Sequence, residues 1–195
     1  MSLDEFKEDF CQRLQHPRVV KSNGYEPVWF LVYAPKRTVE MQRFRTSLNA
    51  YLSTQGMEPQ EFSVTDALWS VLESDPDWAE VQQADEDPLN HEDLKDTLSA
   101  MVEPSENENR LVELLRQALQ KAGESTRAVL LVHGFESLHC LMRPGIIEGK
   151  LNGCFACPTV FFYPGRTEGK AGLRFVNFYP VDSNYHSEHL NVPEA

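Results

Sequence analysis

The run Pro158-Thr-Val-Phe-Phe-Tyr-Pro164-Gly165 constrains the fold more than any other stretch of the chain. Its β-branched and aromatic residues offer no polar side to water, so a strand here is buried on both faces, with Pro-Gly as its stop. Strands of that kind belong to parallel sheets covered by helices. Val28-Trp-Phe-Leu-Val-Tyr33 and Ala128-Val-Leu-Leu-Val132 have the same character, and segments with helical period separate the three runs. That alternation predicts an α/β layer fold. A chain of 195 residues, 41% of them apolar, is long enough to bury one such core, and residues 1–195 are expected to form a single domain.

The segments between these runs carry local signals of their own. Ser2 and Glu5 have capping-box spacing; Leu3, Phe6, Phe10 and Leu14 then share a helical face, and Pro17 ends it. A polar turn around Gly24 feeds the first core strand. Met41, Phe44, Leu48 and Tyr51 predict a crossover helix over Thr38–Thr54, with Gly56 as its stop. Glu61–Val64 is a short candidate strand and Asp66–Leu72 a short helix, after which Asp75 and Pro76 read as the N-cap and first residue of another. Leu111, Leu114, Leu115, Ala118 and Leu119 make one stripe along Arg110–Ala122, closed by Gly123. Ser137–Lys150 reads as a helix interrupted at Pro144-Gly145, Leu173–Tyr179 as a final edge strand, and Val181–Ala195 as a polar tail with at most one helical turn. The expected architecture is a mostly parallel sheet of about five strands flanked by helices, resembling a degenerate P-loop or RecA-like core without phosphate-binding motifs.

The formal charge of −12 is unevenly spread: Glu73–Glu108 holds 13 acidic residues and one basic residue, Lys95, and so carries the whole deficit. Apart from Leu94, Leu98, Met101 and Val102 its apolar periodicity is weak, so a helical elaboration at about 66–109 is expected. Within it, Asp85, Glu86, Asp87, Glu92 and Asp93 are either a solvated face or a partner-facing acidic surface. A chain with this balance repels DNA phosphates at long range, which argues against direct nucleic-acid binding. No run approaches the roughly 18 consecutive apolar residues of a membrane span, and Met1–Lys7 lacks the layout of a signal peptide. The expectation is a cytoplasmic protein whose cysteines, Cys11, Cys140, Cys154 and Cys157, are reduced thiols.

Ligands of open parallel sheets gather beyond the carboxyl ends of the strands. Here those ends are Ala34-Pro-Lys-Arg37, His133-Gly134 and Pro164-Gly-Arg166. Lys36, Arg37, His133, Tyr163, Gly165 and Arg166, with Lys170 nearby, form a candidate edge for an anionic ligand or an acidic partner, set against the plainer reading of ordinary loop cations. A nucleotide hydrolase needs a glycine-rich phosphate loop after the first strand and a magnesium-binding carboxylate ending a later one. The first loop has no glycine, and the later strand ends in His133. Cys154 and Cys157, with Cys140 and His139 or His133, offer zinc ligands on paper, but the spacing fits no standard site and the pair precedes a strand rather than a helix. Asp182, His186 and His189 lie close in sequence within a segment of no readable fold. No catalytic, metal or cofactor residues are assigned.

Phe161-Phe-Tyr-Pro-Gly165, Gly172-Leu-Arg-Phe175 and Asp182-Ser-Asn-Tyr185 resemble the BrxB family, the small non-catalytic component of bacterial BREX phage-exclusion systems. The layout agrees over most of the chain: an N-terminal helix, an early strand, an acidic helical middle, then strand, helix, strand and the Phe-Tyr-Pro-Gly close. The resemblance implies an adaptor or assembly role in phage defence, alongside a site-specific DNA methyltransferase and an ATPase. A PglZ-type alkaline-phosphatase-like protein is the direct partner it implies. The family has no cysteine pair at the positions of Cys154 and Cys157. A small nucleotide- or anion-binding regulator, or an enzyme using the sheet edge, is the alternative.

Overall fold

The computed structural model describes residues 1–15, 26–84, 91–139, 141–169, 172–182 and 187–194. In chain order the elements are α1 (Leu3–Gln15), β1 (Val28–Tyr33), α2 (Thr38–Thr54), β2 (Glu58–Ser63), α3 (Val64–Glu73), α4 (Trp78–Ala84), α5 (His91–Val102), α6 (Arg110–Ala122), β3 (Ala128–His133), α7 (Pro144–Leu151), β4 (Thr159–Glu168), β5 (Gly172–Phe175) and β6 (Glu188–Asn191). Short 3-10 turns occupy Pro35–Arg37 and Phe135–Leu138.

The three apolar runs are neighbours at the centre of one six-stranded sheet of order β2-β3-β4-β1-β6, all parallel, with β5 antiparallel to the far end of β4. Because successive side chains alternate, each run feeds two cores. Phe30, Val32, Leu130, Val132, Phe161 and Tyr163 face a core completed by α3, α6 and α7, to which α4 and α5 add Val81, Met101 and Val102. Trp29, Leu31, Val129, Leu131, Val160 and Phe162 face the other, covered by α1 and α2. Each fully buried Leu or Phe contributes about 2–3 kcal/mol of transfer free energy. Among the described residues no helix is long and apolar enough to cross a membrane.

The helix starts follow their local chemistry. The capping box forms: Ser2 N donates to Glu5 Oε2 at 2.7 Å and Glu5 N to Ser2 Oγ at 3.2 Å. Ser63 caps α3, and Asn109 caps α6 by accepting from Val112 N at 2.9 Å. Asp75 behaves differently from a simple cap. One carboxylate oxygen accepts from Asp77 N at 3.1 Å and the other pairs with Arg110 at 2.5 Å, so the chain turns there and α4 begins only at Trp78.

Several expectations are corrected. β2 starts at Glu58 because Glu58 binds Arg127 and Ser125; as a half-exposed edge strand it carries no apolar run to announce it. The helix expected over Ser137–Lys150 is a turn ending at His139, whose backbone is extended, and then α7, which starts at Pro144 rather than breaking there. The strand expected over Leu173–Tyr179 stops at Phe175, since Val176 (φ 41°) and Asn177 (φ 59°) turn the chain through the left-handed region. The supposed polar tail contains β6, the sixth strand. Glu188 anchors it by accepting from Trp29 Nε1 and Arg13, each at 3.0 Å. Pro17 and the turn around Gly24 lie outside the described residues.

Gly165 sits where β4 meets β5, and a Cβ there would lie 2.3 Å from Arg174 O and 2.6 Å from the Tyr163 ring. Gly165→Ala is therefore expected to cost roughly 1–3 kcal/mol in urea unfolding. Gly149, in α7 with nothing within 4 Å of its would-be Cβ, is expected to gain about 0.4–1 kcal/mol on replacement by alanine. Equal effects at the two positions would contradict this account of the hairpin.

Candidate functional site

The carboxyl ends of β1, β2 and β3 open onto a cleft of about 430 Å³. Tyr33, the last residue of β1, donates its hydroxyl to Glu136 Oε1 at 2.7 Å. The Thr38 hydroxyl lies 3.0 Å from the same oxygen and 2.8 Å from Pro35 O. Glu136 reaches this point from the turn after β3, which Gly134 opens at φ 84° while Thr65 Oγ1 donates to its carbonyl at 3.3 Å. A side chain at Gly134 would meet that hydroxyl at 2.6 Å, so the close approach of α3 and the β3 exit requires glycine. Arg45 and His133 line this cleft and also an adjoining cavity, where Glu61 Oε2 lies 3.3 Å from Arg45 Nε and 3.5 Å from His133 Nε2.

The electrostatics fix the protonation states. Burial and the adjacent Glu136 carboxylate push the Tyr33 hydroxyl far above its ordinary pKa, so it is a neutral donor at any physiological pH. Burial and then the Arg45 guanidinium lower His133, outweighing the carboxylates of Glu61, Asp66 and Glu136. Its contact with Glu61 is thus that of a neutral imidazole, not an ion pair. A permanent guanidinium, a neutral imidazole, a phenol and carboxylates suit recognition of a polar group. Among the described residues, no three His, Cys, Asp or Glu side chains are arranged to hold a metal ion.

Of the six residues read from sequence as the working edge, His133 alone lines this cleft. Arg37 is buried and held by Glu40 at 2.9 and 2.7 Å, Val192 O at 3.0 Å and Pro193 O at 2.6 Å. Tyr163 is fully buried against Phe30 and Phe175, and Gly165 serves the hairpin. Lys36 is exposed, and Arg166 is exposed and paired with Glu168 at 2.7 Å. Tyr33, Thr38, Arg45, Thr65 and Glu136 were not singled out. Tyr33 and Glu136 flank strand ends and were open to discovery on that ground; Arg45 looks like any polar helix residue.

The remaining candidates disperse. Asp93 is exposed on α5; Glu92 lies in the same helix with its side chain outside the described set, and Asp85, Glu86, Asp87, Cys140, Lys170 and His186 lie outside the described residues. Cys11 and Cys157 are buried thiols whose pKa burial raises, while Cys154 is half-buried. His139 packs edge-on to Phe178 and Tyr179, and His189, on β6, edge-on to Phe30.

His133 is expected to titrate below the ordinary histidine value of about 6.5, because burial and Arg45 favour its neutral form. Its folded-state pKa being depressed, the unfolded chain binds the extra proton first. This residue's contribution to stability is therefore complete above about pH 6.5 and lost as pH falls through the folded value. Arg45→Met should raise the His133 pKa, and Glu61→Gln should lower it, both read by NMR titration. An unchanged value in both variants would show that neither group acts on the ring. No protein-family model matches the chain, and neither a curated protein nor a solved structure matches it.

Proposed function

We propose that the protein is a non-catalytic adaptor of a bacterial BREX defence system, binding a PglZ-type alkaline-phosphatase-like protein and supporting host DNA methylation and phage exclusion. The observation that carries the non-catalytic part is the loop after β1. A nucleotide hydrolase would wrap glycine amides around phosphates there. Here the loop is a tight turn over Pro35–Arg37, and its buried Arg37 binds Glu40 and the carbonyls of Val192 and Pro193. The chain's own groups use the charge that a phosphate would need. Across the edge, β3 ends in His133, which burial keeps neutral, where a magnesium site would need a carboxylate. The resemblance of the Phe161–Gly165 and Gly172–Phe175 motifs to BrxB supports the choice of system and partner.

The second reading, a small anion- or nucleotide-binding regulator, is favoured by Arg45 facing the cleft beside His133. Co-expression with a PglZ-type protein from the same genome, followed by affinity purification, tests the first. A stoichiometric complex is expected, and the isolated chain should turn over ATP and GTP no faster than buffer. Separate elution of the two proteins, together with magnesium-dependent hydrolysis lost in Arg45→Met, would replace the adaptor with the regulator or enzyme.

A further inference from the structure

We infer that the outer face of α3 around Trp69 docks a lysine- or arginine-bearing segment of a protein partner. This rests on the protein-binding reading above and names the chemistry that the partner presents. α3 buries Val64, Ala67, Leu68, Val71 and Leu72, so Trp69 falls on its opposite face. Half of the Trp69 surface, 50%, remains in water, with the ring edge-on to Trp78 of α4 at 5.8 Å between centroids. An exposed tryptophan braced by a second one is an anchor with half of its surface still unfilled. Asp66, three residues before it, and Glu73, four residues after, are its neighbours on the helix surface, and both are exposed.

Charge identifies the occupant. Elsewhere the carboxylates tend to be matched internally: Glu40 with Arg37, Glu58 with Arg127, Asp75 with Arg110, Glu103 with Lys150, Glu113 with Arg116 and Glu168 with Arg166. Around the tryptophans they are not. Among the described residues no salt bridge engages Asp66, Glu73, Asp77 or Glu80. A cleft of about 550 Å³ beside α3, reached past Ser70 and Ser74, repeats the pattern. Its cations Arg110, Arg116 and Lys150 are paired with Asp75, Glu113 and Glu103, which leaves the carboxylates of Glu106 and Glu108 unmatched.

An ammonium or guanidinium laid on the Trp69 face gains cation–π attraction and has carboxylates within reach on both sides. Arginine suits it best, since its planar group stacks as well as pairs. A nucleic acid or other polyanion would be repelled. A second copy of this chain is a poorer occupant, because among its described arginines those at 13, 37, 45, 110, 116, 127, 166 and 174 are engaged with its own carboxylates and only Arg43 and Arg143 are in no salt bridge.

The test titrates the full chain with a fluorescein-labelled arginine- and lysine-rich peptide and, in parallel, with the purified PglZ-type protein. Trp69→Ala is expected to weaken both at least about tenfold, and Trp69→Tyr to recover most of the loss. Glu73→Gln with Glu80→Gln, exposed carboxylates in no salt bridge, should slow association and flatten its dependence on salt. Binding of both ligands unchanged in these folded variants would overturn the docking site, while a retained PglZ-type complex would leave the adaptor reading standing. Peptide binding that needs Trp69, without any PglZ-type complex, would sink the named partner and keep the site.

Discussion

Everything in this fold depends on β4 being dry on both faces. Phe161 and Tyr163 look one way, Val160 and Phe162 the other, and each of the four is at most 2% exposed. A strand like that can exist only if helices cover it from above and below, and it forces its neighbours β1 and β3 to be apolar throughout as well. With three such strands side by side, the connections must cross over the sheet, and α2, α6 and α7 are those crossovers. The cleft is then a geometric by-product, since parallel strands deliver their carboxyl ends, and the loops that follow, to one edge.

How much of this was legible follows from burial. β1, β3 and β4 announce themselves because both faces are apolar, and α2 and α6 because one stripe is. β2 was read only in its second half and β6 not at all, because edge strands keep polar groups in their sequence: Glu58, Gln60 and Glu61 in one, Glu188 and Asn191 in the other. The cleft was legible in place but not in membership. His133 could be read from the end of its strand. That Arg37 would turn inward to the carbonyls of Val192 and Pro193 could not, since those partners lie about 155 residues away. Nor could the meeting of Arg45, Glu61 and His133, which depends on the placement of α2 against β2 and β3.

The distribution of charge has a similar logic. Most arginines near the sheet are paired with local carboxylates, so the residual negative field belongs to the α3–α5 side, where Trp69 also reaches the surface. A surface field chiefly accelerates encounter and rejects wrong partners, whereas the aromatic rings hold what arrives. The two polar features of the molecule therefore differ in kind. The sheet-edge cleft is a small pocket lined by a phenol, an imidazole and a guanidinium, and the Trp69 face is an open, acid-rimmed platform.

The pairing of β1 has a consequence for biosynthesis. Both of its neighbours, β4 and β6, are encoded more than 120 residues downstream. At about 5–20 residues per second on the ribosome, β1 waits on the order of ten seconds with both edges open. Val28-Trp-Phe-Leu-Val-Tyr33 is the kind of uncharged, β-prone segment that self-associates when unpaired. Such high contact order makes folding slow. α1 and α2, which flank this strand in sequence and cover one of its faces, shield half of it while the rest of the polypeptide is made.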